Sequence, residues 1–507
     1  MRRLLRLMAI TVASLHVACG GGSSGNSVPP PPGGQAPNII LILTDDQAAQ
    51  DVAQMPLLKS LITDEGATFR QHFVSLSLCC PSRVSGLRGQ FAHNTTIFKN
   101  NPPEGGFEGT YAKGLESSTV ATWLRGAGYR TALFGKYLNG YPSTAPNNYI
   151  PPGWTEWYSP NGGNPYKEFD YSLNENGSTV SYGSTAADYL TDVLSNKAAD
   201  FIRRSVDQYP TQPFFAYIAT YAPHAPATPA PRHENAFPGV QAPRTAAFNE
   251  ADVSDKPAWI QALPLLNQTQ IDDIDKLYRH RLQSLLAVDE LIQNIVNTLQ
   301  AKGQLANTYI LFASDNGYHQ GLHRLDSGKM TAFEEDLLVP LMVRGPGVPR
   351  GSSVSFLTAN VDYAPTFAEI AGASAPGFVD GRSLLGLMKG QSPTDWRQML
   401  LLEHKLDADD HLVPLDGTRE PPDAFERRMR DAGVGITAFS GLRTADGKTY
   451  VEYDTGEYEL YDNLTDPSQL KNGYNTAPSD LKTRLSGWLG TLRTASGTSL
   501  RQAESSR

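Results

Sequence analysis

The chain has 507 residues, 40% of them hydrophobic and 19% charged, an ordinary balance for a folded protein with a sizeable core. A formal net charge of −9 excludes nucleic-acid binding through a global positive field, so an anionic ligand must meet a locally positive site. Of the 3 cysteines, Cys79 and Cys80 are adjacent, and a bridge between neighbours needs a strained eight-membered ring; these thiols therefore point to chemistry rather than to a disulfide framework.

Taken in chain order, Arg2, Arg3 and Arg6 precede an apolar stretch from Leu7 to Val17, too short to span a bilayer as a helix but suited to a signal-peptide core. It runs through His16-Val17-Ala18-Cys19 into three glycines, a pattern like a bacterial lipobox, which would lipidate Cys19; residues 1–19 thus read as a signal peptide. Residues 20–37, rich in Gly, Ser and Pro, read as a linker. Four apolar runs then end in polar clusters. Asn38 to Leu43 leads into Thr44-Asp45-Asp46, Thr131 to Phe134 into Gly135-Lys136, Phe214 to Ala219 into a stretch holding His224, and Tyr309 to Ala313 into Ser314-Asp315-Asn316-Gly317. Continuous apolar runs are the mark of buried parallel strands, whose carboxyl ends carry ligand sites. Helical patterns fall at Thr119 to Arg125, Leu282 to Leu299 and Pro365 to Ala371, and Val339 to Val343 adds a strand.

The predicted fold is α/β: a large mixed, mainly parallel sheet sandwiched by helices over residues 38–398. Residues 399–495 read as a smaller C-terminal α+β domain carrying an antiparallel sheet, with a hairpin of Lys448 to Asp454 and Tyr458 to Asp462 and a helix near Leu481 to Leu492. The stretch 405–434 has no clear element and reads as a loop near the site; residues 496–507 read as a disordered tail.

Asp45, Asp46, Asp315 and Asn316 are hard oxygen ligands, suited to Ca²⁺ or Mg²⁺, yet each pair equally reads as a helix cap or Asx-turn. Lys136, His224 and Lys329 are bland one by one. Together with Cys79-Cys80-Pro81-Ser82-Arg83 and Leu87-Arg88-Gly89 they form an ordered set that resembles the type I sulfatase family of the alkaline phosphatase superfamily. Its signature is Cys-x-Pro-Ser-Arg with a downstream Leu-Thr-Gly, so Arg88 replaces the usual Thr. Phe134-Gly135-Lys136, Ala222-Pro223-His224, Gly328-Lys329, Val361-Asp362-Tyr363-Ala364-Pro365-Thr366 and Asp380-Gly381-Arg382-Ser383-Leu384 extend the likeness over nearly the whole mature chain.

What the resemblance implies is specific. A separate formylglycine-generating enzyme converts Cys79 to Cα-formylglycine, and Cys80 fills the variable slot. Calcium, with magnesium second, is held by Asp45, Asp46, Asp315, Asn316 and the modified residue 79. Arg83 and Lys136 hold the hydrated aldehyde, one of whose hydroxyls attacks sulfur while the other later expels sulfate. His224 and Lys329 bind the sulfate of a sulfate-ester substrate, and one of them protonates the leaving oxygen. Many members carry a histidine two residues after the lysine; here Leu138 stands there, which leaves His319, His323 and His404 as candidates for the base by residue type. Gly135-Lys136-Tyr137-Leu138-Asn139 looks more like the N-acetylglucosamine-6-sulfatase branch, which points to O-sulfated amino sugars at the cell surface or in the periplasm, with no nucleic acid and with membrane contact only through the lipid anchor. Two other readings share the motifs: a phosphonate monoester or phosphodiester hydrolase, and a sulfated-glycan receptor without turnover.

Overall fold

Alternate residues of the strand Asn38–Thr44 feed two different cores. Ile39, Leu41 and Leu43 pack with Val84, Leu124 and Phe367, whereas Ile40 and Ile42 pack with Leu194, Leu291 and Ile295. A period of two, with both faces covered, is what a central parallel strand requires. The computed structural model describes residues 36–405, 423–431 and 437–506. The predicted signal segment, Cys19 and nearly all of the linker lie outside the described residues.

The main sheet has ten strands, in the spatial order Ser352–Val354, Ala67–Phe69, Leu341–Arg344, Thr308–Ser314, Asn38–Thr44, Phe214–Ala219, Arg130–Gly135, Glu156–Gly163, Tyr171–Glu175 and Ser178–Tyr182. The five from Thr308–Ser314 to Glu156–Gly163 are mutually parallel, and antiparallel pairing begins on either side of them. Helices Cys79–Arg88, Val120–Gly126 and Tyr363–Ile370 contribute to the first core, and Leu190–Gln208 with the 34-residue helix Gln268–Ala301 to the second. The predicted α/β sandwich is therefore what the chain forms.

The C-terminal region carries the antiparallel sheet Met399–His404, Phe439–Thr444, Lys448–Tyr453 and Tyr458–Asp462, in that order. Its apolar side shares one core with Phe73, Phe91 and Leu337 of the larger body and with Leu485 and Leu489 of helix Ser479–Leu492. One expectation is corrected here. Residues 496–507, read as a disordered tail, contain helix Gly497–Ser505, anchored by Leu500 in that core and by buried charge. Glu504 pairs with Arg397 (2.9 Å), whose other nitrogens grip Asp362 at 2.6 and 2.8 Å. Asp380 accepts the backbone N–H of Gly497 at 2.6 Å.

Candidate functional site

Register builds the site. Leu43 lies opposite both Ala219 and Ala313, and Gly135 opposite Ala219, so Asp45, Asp315, Lys136 and the segment after Ala219 leave the sheet at one edge. Gly135 has φ +97°, and a Cβ there would fall within 1.9 Å of the Ala219 carbonyl oxygen; only glycine lets this strand turn Lys136 inward.

The cysteine motif meets that edge as a helix start. Cys79 is the first residue of helix Cys79–Arg88, and Pro81 sits in the first turn, where no backbone N–H is needed. Arg83 follows Cys79 by four residues and so shares its face. Ser82 Oγ donates to the Asp315 carbonyl, and Arg83 donates from Nε to Asp315 Oδ2 (2.8 Å) and from a terminal nitrogen to the Lys136 carbonyl (3.0 Å). Arg88, the departure from the family pattern, points away and binds Gln90, Leu115 and Ser118. Gly89 ends the helix with φ +67°.

Buried charged side chains converge on Cys79. Its Sγ lies 3.2 Å from Asp45 Oδ1, 3.7 Å from Asp46 Oδ1 and 3.0 Å from Lys329 Nζ. Lys329 Nζ also donates to Asp46 Oδ1 (2.8 Å), and Lys136 Nζ to Asp45 Oδ2 (2.5 Å). His224 gives Nδ1 to the Ala225 carbonyl (2.7 Å), which leaves Nε2 facing Asp46 Oδ2 at 3.5 Å. Each of these side chains is at most 3% exposed. Burial would raise the Asp45 carboxyl, but Lys136, His224, Arg83 and Lys329 together hold it well below its ordinary value. Asp315 goes the other way, to about 6, because burial and Asp45 outweigh Arg83.

The structure brings together Asp45, Asp46, Cys79, Arg83, Lys136, His224, Asp315, Asn316 and Lys329. Asp45, Asp46, Cys79 and His224 offer ligand atoms within 4.8 Å of one another, a cluster able to hold a metal ion. Asp315 faces inward differently: Oδ2 is taken by Arg83, and Oδ1 accepts the N–H groups of Asp46 and Asn316. Asn316 Oδ1 is buried with no hydrogen-bond partner among the described residues, while its amide nitrogen binds Asp46 Oδ1 at 2.6 Å. Hard carboxylates and an orphaned amide oxygen at one point fit a hard divalent cation.

Two predicted oddities are resolved. Cys80 turns into the core beside Leu138, where burial pushes its thiol up to about 12, so it is inert. Leu138 is 3% exposed in the same core, so the position two residues beyond the lysine serves packing. Of the candidate bases, His319 binds Asp336 through Nδ1 (2.9 Å) and bridges by its backbone to Gly328; His323 binds Glu250 (2.6 Å). His404, at the end of strand Met399–His404, is held near 4 by burial and by Lys99.

Two supporting residues escaped the sequence reading. Arg281, on the buried side of helix Gln268–Ala301, donates to the Asp46 and Pro223 carbonyls and lies over Tyr318 at 4.2 Å, fixing the turn in which Asp46 has φ +63°. A charge inside an apolar helical stripe was the available signal. Asp423, in the segment read as a loop near the site, lies over Gly328. Beside the site, a cavity of about 330 Å³ has Lys136, Asn161, Tyr166 and Tyr221 in its wall; Tyr166 also packs its ring 4.6 Å from that of His224.

Comparison with known proteins agrees with this geometry. Residues 37–373 match the sulfatase family model. Human N-acetylglucosamine-6-sulfatase is 36% identical over 476 residues, spanning 90% of this chain and 85% of its own length. A solved structure of a protein in complex with its substrate D-glucosamine-2-N,6-O-disulfate aligns with TM-score 0.71 at 24% identity, over 90% of this chain and 97% of that one. The phosphonate monoester hydrolase of Agrobacterium radiobacter aligns with TM-score 0.65 at 21% identity, over 90% and 94%; at these identities both structures speak for the fold alone.

Proposed function

Since the chain belongs to the sulfatase family, we propose that it hydrolyses the sulfate esters of O-sulfated amino sugars through Cα-formylglycine made from Cys79, with calcium at the adjoining carboxylates. The observation that carries this reading is the meeting of three fixed cations, Arg83, Lys136 and Lys329, with Asp45, Asp46 and residue 79 at one buried point of an acidic protein. The 36% identity to human N-acetylglucosamine-6-sulfatase favours the amino-sugar substrate.

Asp45, Asp46, Asp315 and Asn316 would hold the cation. When present, the cation and the hydrated aldehyde supply charge neutralisation and an oxygen nucleophile that a thiol does not. The chain's own residues do the rest. Arg83, locked by Asp315 and the Lys136 carbonyl, fixes the orientation of residue 79 from the same helix face. Lys136, with Arg83, would hold the hydrated residue 79, and Lys329, with His224, would set positive charge against the sulfate oxygens at a buried point of the chain, where such contacts are strongest. His224, its Nδ1 tied to a carbonyl, presents Nε2 to carry a proton to the leaving oxygen.

Maturation by a formylglycine-generating enzyme and anchoring through lipid on Cys19 at the cell surface or in the periplasm complete the proposal. They are supported by the cysteine motif and by the N-terminal sequence pattern. No helix among the described residues is long and apolar enough to cross a membrane.

The test compares N-acetylglucosamine 6-sulfate, p-nitrophenyl sulfate and p-nitrophenyl esters of phosphate and phenylphosphonate on protein whose residue-79 peptide carries the aldehyde by mass. Sulfate esters should exceed phosphorus esters in kcat/KM by about 100-fold or more. Negligible sulfate turnover by modified protein would overturn the reading.

A further inference from the structure

Lys136 stands just beyond the sheet, in a turn with a conformationally free glycine before it and a fixed tyrosine after it. Gly135, with φ +97°, ends the strand Arg130–Gly135; the Lys136 N–H then donates to the Ala219 carbonyl (2.9 Å), and the Lys136 carbonyl accepts from Arg83 (3.0 Å). The next fixed point is Tyr137. Its ring is 4% exposed and meets Trp157 edge-on at 5.1 Å, and its hydroxyl donates to Glu116 Oε1 at 2.8 Å. Glu116 is buried too, at 3% exposure, and its Oε2 accepts the Tyr149 hydroxyl at 3.1 Å.

The turn that carries Glu116 is itself clamped. Arg88 donates to carbonyls on either side of that residue, Leu115 (2.5 Å) and Ser118 (2.8 Å), and lies over the Phe378 ring at 4.6 Å. Because Arg88 ends the helix that begins at Cys79, one rigid element carries residue 79, Arg83 and the grip on the Glu116 turn. A carboxylate is costly to bury, and packing alone would favour an apolar side chain at this place; what the carboxylate adds is a directional bond to Tyr137. Lys136 Nζ reaches Asp45 Oδ2 (2.5 Å), whose other oxygen lies 3.2 Å from Cys79 Sγ, so a shift of the Lys136 backbone displaces its cation from residue 79. We propose that Glu116 and Tyr137 are positioning residues: through the Tyr137 hydroxyl they fix the Lys136 backbone, and so hold its ammonium in place against residue 79. This rests on the reading in which Lys136 holds the hydrated residue 79.

Tyr137→Phe keeps the ring and its packing and deletes only the tie, and Glu116→Ala deletes it from the other end. In protein matched by mass for aldehyde at residue 79, each should lower kcat about tenfold or more, the range for a small misplacement of a catalytic group, with KM within about threefold of wild type. The loss should be equal on N-acetylglucosamine 6-sulfate and p-nitrophenyl sulfate, because both meet the same residue 79. Glu116→Gln keeps an acceptor oxygen for Tyr137 and should hold kcat within about threefold of wild type, and the double variant Tyr137→Phe/Glu116→Ala should be no slower than the slower single one. A pair with a merely structural role would lower the urea midpoint and leave kcat per aldehyde-bearing site unmoved, which would overturn the proposal. Lys136→Met should itself lose about 100-fold or more in kcat. If it does and the two single variants do not, the positioning fails and the proposed function stands; if Lys136→Met loses nothing, the role proposed for Lys136 fails and the positioning with it.

Discussion

A departing sugar alkoxide needs a proton, whereas p-nitrophenolate leaves without one, so substrate choice tests the proton transfer proposed for His224. Its Nε2 is the ring atom turned to the site. His224→Ala should therefore lower kcat on N-acetylglucosamine 6-sulfate by about 100-fold or more, the usual range for losing a general acid, but by about tenfold or less on p-nitrophenyl sulfate. Equal losses on the two esters would move the acid role to Lys329, which lies 3.0 Å from Cys79 Sγ. At this scale the sequence was most informative where chemistry forces a residue type. Cys79, Arg83 and the Asp pairs could be named because together they match an ordered family pattern, each being weak alone. Asp423 could not be placed, because it lies over Gly328, a residue 95 positions away whose proximity no local pattern encodes.

At the level of elements, the helix Gly497–Ser505 shows why a polar C-terminus need not be loose. Its sequence offers a single leucine to the core, and it is held instead by Glu504 against Arg397 and Arg382 and by the Gly497 N–H on Asp380. The stretch reads as a tail in sequence because the charges that hold it sit more than a hundred positions away. Glu504→Ala would leave the buried Arg397 guanidinium short of a partner, at a cost of about 3 kcal/mol, readable as a lower urea midpoint with unchanged slope. A shift below about 1 kcal/mol would mean that Asp362 alone suffices for Arg397. The parallel strands were legible for the opposite reason: burial on both faces leaves an unbroken apolar run. The hairpin Tyr171–Glu175 and Ser178–Tyr182 went unseen, since its outer strand is largely exposed and alternates weakly.

For the molecule as a whole, buried titratable groups outside the site shape stability against pH. Burial lifts Glu168 and Glu335 from an ordinary value of 4.5 to about 8, and it lowers His72 to about 3 and His404 to about 4 from 6.5. Between pH 6.5 and 8 the folded chain keeps carboxyl protons that the unfolded chain has already lost, so stability falls as pH rises. Below pH 6.5 the unfolded chain gains histidine protons that the folded chain refuses, which opposes the carboxylate trend and flattens the curve down to about 4.5. Urea midpoints measured across this range should decline above pH 6.5, and Glu168→Gln should make the decline shallower. A midpoint that rises from pH 6.5 to 8 would contradict this account.

The complete burial of Cys79 bears on when the proposed conversion could take place. Its side chain is 0% exposed and its backbone is already committed to a helix. An enzyme that rebuilds this residue needs an extended, accessible peptide, which exists only before the chain closes around it. The conversion proposed for Cys79 would therefore have to come before folding, and a chain that reached its native shape first would keep the thiol.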